Sequence, residues 1–170
     1  YGGGKSSLAL MLCSLVGPNQ ALRQKAKKIL ALPDGSPIHK TFEAKGSGWT
    51  VLPVVGKRIS IREQLLVTIE KRTGIVLARK KSTDVISELV SLAESNKQGL
   101  LLVIDELGKF LENSAPEGGE DIYFFQQLAE AASRAKGNFV VVGVLHQPFD
   151  AYATTLGRQT RDEWAKIQGR

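Results

Sequence analysis

The chain has 170 residues, 42% of them hydrophobic and 24% charged, with a formal charge of +6 and one cysteine, Cys13. This is enough chain to bury one sizeable core, and a lone cysteine excludes an intramolecular disulfide, a thiolate zinc site and a dithiol redox pair. No apolar run approaches the roughly 20 residues that span a bilayer, and no charged stretch followed by an apolar one opens the sequence, which sets the expectation of a cytoplasmic domain without membrane contact.

Tyr1-Gly2-Gly3-Gly4-Lys5-Ser6-Ser7 opens the chain. Gly4-Lys5-Ser6 is the last part of the pattern G-x-x-x-x-G-K-[ST], whose first Gly would fall ahead of Tyr1. Glycines at 2, 3 and 4 allow left-handed backbone and let amides approach phosphate oxygens as an anion-binding nest. The apolar residues from Leu8 onward predict a helix over 5–16, with its positive end aimed at the same phosphates. In this arrangement Lys5 neutralises the β and γ phosphates of a nucleotide, Ser6 ligates Mg²⁺ and Ser7 reaches the α-phosphate.

Gly17-Pro18 stops that helix, and 20–31 reads as a basic helix carrying Arg23, Lys25, Lys27 and Lys28, closed by Pro33-Asp34-Gly35. Residues 49–55 read as a strand. Pro53 cannot donate to a ladder, which assigns this strand to a sheet edge. Ser60 to Glu63 is a capping box ahead of Leu65, Leu66 and Ile69 at helical spacing. A further helix is expected over 84–95, with Val85, Ile86, Leu89, Val90 and Leu92 facing inward.

Five aliphatic residues, 100–104, then lead to Asp105-Glu106. A continuous apolar run is what a strand covered on both faces of a parallel sheet requires, and ligands of such sheets gather at the carboxyl ends of strands. Asp105 suits the Mg²⁺ shell through water, and Glu106 suits the polarising of an attacking water. The same pair can also cap the short segment 107–112. Residues 112–119 are a candidate mobile loop. Ile122, Phe125, Leu128, Ala129 and Ala132 mark an amphipathic helix ended by Gly137. A second apolar strand over 139–145 ends at His146-Gln147, and another capping box stands at 160–163.

Together the Gly-Lys-Ser and Asp-Glu motifs resemble the division of P-loop NTPases that carries a catalytic glutamate after the Walker B aspartate. It includes AAA-type ATPases, STAND-like switch ATPases and RecA-like motors. Nucleotide kinases and most GTPases lack a Glu in that place. The resemblance implies a Mg²⁺-dependent ATPase with a three-layer α/β/α core and a mostly parallel sheet, in an order resembling 5-1-4-3-2. On that pattern two of five strands are missing, so residues 1–170 read as one ATPase core module truncated at both ends, an excerpt of a larger bacterial-style ATP-binding protein. Lys5 and Asp105 lie 100 residues apart, which points to an insertion or helical extension over 17–48.

In the resembled families a polar residue after the neighbouring strand senses the γ-phosphate. His146 and Gln147 occupy that place, and Gln147 is the better match, because an amide orients water or phosphate oxygen at any pH. An arginine finger offered to a neighbouring subunit would come from Arg158, Arg161 or Arg170, the last being similar to the Gly-Arg ahead of the final core strand. Partners implied are ATP and a second copy of the chain or neighbouring domains of the same polypeptide. Residues 20–81 hold 14 Lys or Arg against 4 Asp or Glu, which admits nucleic acid as a further partner. Gly56-Lys57-Arg58 falls in the loop that lines the central pore of ring-forming relatives, although no aromatic interleaving supports a stacking platform. Two alternatives to a turning-over ATPase fit the same motifs: a nucleotide-operated switch with little turnover, and a DNA or RNA translocase.

Overall fold

The aliphatic run ahead of Asp105 becomes the middle strand of the sheet in the computed structural model, which describes residues 3–77, 84–114, 120–135, 137–148 and 151–152. Strand β2 (Leu100–Asp105) lies between β1 (Thr50–Val55) and β3 (Phe139–Gly143), parallel to both, in the order β1-β2-β3. Leu100, Leu101, Leu102 and Ile104 are fully inaccessible. Pro53 sits opposite Val103 in β1, which pairs only with β2 among the described strands, so the missing N–H falls on an edge as expected.

The two-residue period of β2 divides its apolar run between two cores. Leu100, Leu102 and Ile104 join Leu52, Val54 and Phe139 on one face. Against them pack Ile61, Leu65 and Ile69 of helix α4 (Ile61–Thr73), Leu89 of α5 (Val85–Ser95), Phe110 and Leu111 of α6 (Gly108–Ser114), and Phe124 and Leu128 of α7 (Glu120–Arg134). Leu101 and Val103 point the other way, onto Ala9 and Val16 of α1 (Gly3–Val16) and onto Trp49. Each such aliphatic side chain contributes about 1.5–3 kcal/mol on burial, so β2 is where two faces of the fold are held to one strand. The result is a helix–sheet–helix arrangement with a parallel sheet.

Segment 17–48 contains α2 (Gln20–Ile29), which packs on α1, and the short α3 (Pro37–Thr41). Arg23 is only 8% exposed and does not belong to a basic surface. Its guanidinium donates to the carbonyls of Gly17 at 2.7 Å, Pro18 at 3.0 Å and Gly46 at 3.0 Å. Both ends of the segment are therefore tied to one side chain in α2.

Several boundaries differ from the sequence expectation. Helix α1 starts at Gly3 rather than at residue 5, and α2 stops at Ile29, because Ala31 turns to a positive φ of 47° and ends the winding. Residues 112–114 continue α6, while 115–119 lie outside the described residues. Strand β3 ends at Gly143, yet the Val144 amide still reaches the Ile104 carbonyl at 2.8 Å. The expected capping box at 160–163 is also outside the described residues.

Helix α5 is capped by Asp84, whose Oδ1 accepts from the Ile86 and Ser87 amides and whose Oδ2 accepts from the Ser87 hydroxyl at 2.7 Å. The Ser87 hydrogen bonds hold the Asp84 carboxyl below the ordinary aspartate range. A depressed native pKa stabilises the fold above the ordinary value, and that contribution is lost as pH falls through the native one. Asp84→Ala is expected to cost about 1 kcal/mol at neutral pH, a gap that closes in acid when urea unfolding is followed at both pH values. Arg23→Met, which strands carbonyls from two ends of one segment, is expected to cost about 2 kcal/mol or more in the same measurement.

Candidate functional site

The three strands run out together: Val55 is in register with Asp105, and Ile104 with Gly143. The segments that leave the strands meet at this carboxyl edge. The Gly56 amide donates to the Asp105 carbonyl at 2.7 Å, and the Leu107 amide donates to the Val144 carbonyl at 3.0 Å. Between those two bonds Glu106 adopts a φ of 54°, left-handed backbone that a non-glycine residue enters at a cost. A Cβ on Gly56 would stand 2.0 Å from the Glu106 carbonyl oxygen, so only glycine permits β1 to leave the sheet so close to this turn.

With its backbone fixed, the Glu106 carboxylate is engaged on both oxygens. Oε2 pairs with the Lys109 ammonium, one turn along at the start of α6, and Oε1 lies 3.5 Å from His146 Nε2. The Lys109 hydrogen bond, with its charge, holds the Glu106 carboxyl below the usual glutamate range; His146 adds a smaller attraction and Asp105 opposes. Glu106 is thus an anion at neutral pH. Asp105 accepts the Glu106 amide on Oδ1 at 2.9 Å.

Lys5 approaches the same edge from α1. Its ammonium donates to the Leu145 carbonyl at 2.9 Å and to the His146 carbonyl at 3.5 Å. Residue 146 therefore meets Lys5 through its backbone and Glu106 through its side chain. Two motifs that are 100 residues apart in sequence converge on one turn. Gly3 and Gly4 do not form a left-handed nest. Both are wound into the first turn of α1, where helical winding gives their carbonyls intrahelical donors and leaves the leading amides without intrahelical partners. A Cβ at Gly4 would meet nothing within 4 Å, so the internal packing of the protein does not require glycine there. Ser6 is half-buried and Ser7 exposed on the same helix; Gly2 lies outside the described residues.

Of the two candidates after β3, both exposed, His146 has its side chain against the Glu106 carboxylate. Arg158, Arg161 and Arg170 lie outside the described residues. Sequence motifs do not mark Lys109, although its spacing of three from Glu106 on a short helical segment is the signal that could have found it. The basic segment is thinner than its composition suggests. Besides Arg23, Lys27 pairs with Asp34, Lys45 with Glu43 at 3.4 Å, and the Arg62 guanidinium stands 4.6 Å over the Phe124 ring. Lys57 and Arg58 are exposed just beyond Gly56.

Among the described residues no group of three or more His, Cys, Asp or Glu is placed to hold a metal ion, and no helix is long and apolar enough to cross a membrane. The Ser6 hydroxyl and the Asp105 carboxylate are hard oxygen donors, the type that magnesium accepts while keeping several of its waters. No protein-family model matches the chain, and no curated protein matches it.

Gly56→Ala tests the geometry of the turn without touching a charged group. Forcing a methyl against the Glu106 carbonyl is expected to cost about 1–3 kcal/mol in a denaturant melt, and unchanged stability would show that β1 can leave the sheet without this close approach.

Proposed function

We propose that this chain is the core of an ATP-hydrolysing P-loop NTPase of the catalytic-glutamate division. The observation that carries the reading is the convergence of Lys5 and Glu106 on residue 146 at the carboxyl edge of a parallel sheet. Phosphoryl transfer asks for positioning and charge neutralisation more than for covalent chemistry. A cation, an ionised carboxylate and the amides at the start of α1 are the groups for that task. The order β1-β2-β3, with the proline-bearing strand at the edge, is compatible with the order expected for such a core.

Charge and location suggest the roles. The leading amides of α1, Gly3 and Gly4 among them, bind phosphate oxygens, and Lys5 exchanges its two carbonyl acceptors for the β and γ phosphates. Ser6 and, through water, Asp105 hold Mg²⁺, which supplies charge neutralisation at the phosphates when bound. Glu106 orients a water whose oxygen bonds to the γ-phosphorus as the bridge to the β-phosphate breaks. ADP departs with the bond's electron pair, and the water's proton passes to Glu106 and then to solvent. Gln147 remains available to orient the γ-phosphate or the water, and Arg158, Arg161 or Arg170 to serve a neighbouring copy. Turnover would be coupled to conformational change or assembly in a larger protein.

Glu106→Gln is expected to keep MgATP bound while lowering phosphate release by about 100-fold or more. Unchanged turnover would remove Glu106 from the reaction. Lys5→Ala is expected to abolish nucleotide binding in a fluorescent-analogue titration, and retained tight binding would refute the cradle.

A further inference from the structure

We infer that the amino edge of the sheet, the end opposite Lys5 and Glu106, carries a second site, one that takes the phosphate group of a small phosphorylated ligand between the turn before β1 and the residues after α5. A cavity of about 610 Å³ lies there, lined by residues 45–47 on one side and 95–98 on the other. Thr50 and Leu100 begin β1 and β2 in register, so this cavity lies one strand length, roughly 17–20 Å, from the carboxyl edge. One phosphate cannot reach both ends. The site needs nothing from Lys5 or Glu106.

Side-chain amides tie the two walls together. Gln98 Oε1 accepts from the Lys45 amide at 2.9 Å, and Asn96 Oδ1 accepts from the Gln98 amide at 3.0 Å. Asn96 Nδ2 donates to the Thr50 hydroxyl at 3.0 Å and to the Gly48 carbonyl at 3.3 Å. The Gly48 amide closes a tight turn on the Lys45 carbonyl at 2.9 Å, with Gly46 left-handed at a φ of 53°. Walls held in this way present their donors without reordering on binding. Among the described residues the Gly46 and Ser47 amides, Gln98 Nε2 and the Lys97 ammonium have no acceptor. The Gly46 carbonyl accepts from Arg23 at 3.0 Å; in a planar trans peptide the Ser47 N–H points away from that guanidinium and is polarised by it. Successive free amides in a turn, with a cation beside them, are the donors that phosphate oxygens accept. Glu43 draws the Lys45 ammonium at 3.4 Å, and the negative end of the α5 dipole lies just before Lys97, so net charge adds little and the amides select a group that accepts several donors at once. The cavity is concave, of mononucleotide size and without an aromatic lining residue, which suits a small ligand rather than an extended strand of nucleic acid.

The test follows the Gly46 and Ser47 amide resonances of the full chain in proton–nitrogen correlation spectra during titration with inorganic pyrophosphate at constant ionic strength. Both resonances are expected to shift and saturate. The apparent affinity read from them is expected to weaken about tenfold in Lys97→Ala and to hold in Lys5→Ala and in Lys28→Ala, an exposed lysine that does not line the cavity. Resonances that stay in place, or that drift without saturating, overturn the site. An equal weakening in Lys28→Ala overturns it in favour of diffuse surface charge, and loss of the shifts in Lys5→Ala overturns it in favour of a signal relayed from the other edge. A short DNA duplex that moves these amides where pyrophosphate does not would assign the turn to nucleic acid and overturn the small-ligand site.

Discussion

The close approach of Gly56 to the Glu106 carbonyl is the constraint on which the carboxyl edge of the sheet depends. A side chain at 56 would push β1 away from β2 at the point where both strands end, and the Gly56 amide would lose the Asp105 carbonyl. The left-handed Glu106 turn would then be held from one side only. That turn sends Leu107 back onto Val144 and starts α6, so one glycine governs where β1 leaves the sheet, how β3 is joined to β2, and where the Asp105 and Glu106 carboxylates sit.

Upstream of this edge the fold is organised by a single strand. Because consecutive side chains of β2 point to opposite faces, Leu100, Leu102 and Ile104 anchor the core under α4 to α7 while Leu101 and Val103 anchor the one under α1. Helix α1 carries Lys5 and is set against the sheet by Ala9 and Val16, in a core that also holds Trp49. The cation that reaches the edge is thus mounted on a helix of one layer, and the carboxylates on the end of the strand that both layers share.

Charge is used in three distinct ways. Arg23 is buried as a brace for the segment between α1 and β1, at a site where its donors meet three backbone carbonyls. Lys27, Lys45 and Arg62 are occupied by local partners. Lys5 and Lys109 converge with His146 on the one turn where Glu106 is presented, which concentrates opposite charges where strands end. A count of Lys and Arg along the chain cannot separate these uses, because it registers neither the burial of a charge nor the partner it meets.

Local physical chemistry made much of the chain legible as sequence. The unbroken aliphatic run before Asp105 announced a strand covered on both faces, Pro53 announced an edge, Ser60 and Asp84 announced helix starts, and the alternation of strands with helices announced a parallel α/β sheet. The phosphate chemistry proposed for Lys5, Ser6, Asp105 and Glu106 rests on their residue types, a cation, a hydroxyl and paired carboxylates. Only the structure showed that Gly3 and Gly4 wind into α1, that Arg23 turns inward, and that the His146 side chain meets the Glu106 carboxylate. The physical reason is the range of the forces concerned: strand burial and capping are written in neighbouring residues, whereas the partners of Lys5 and His146 are set by the strand ends that the fold brings within a few ångströms.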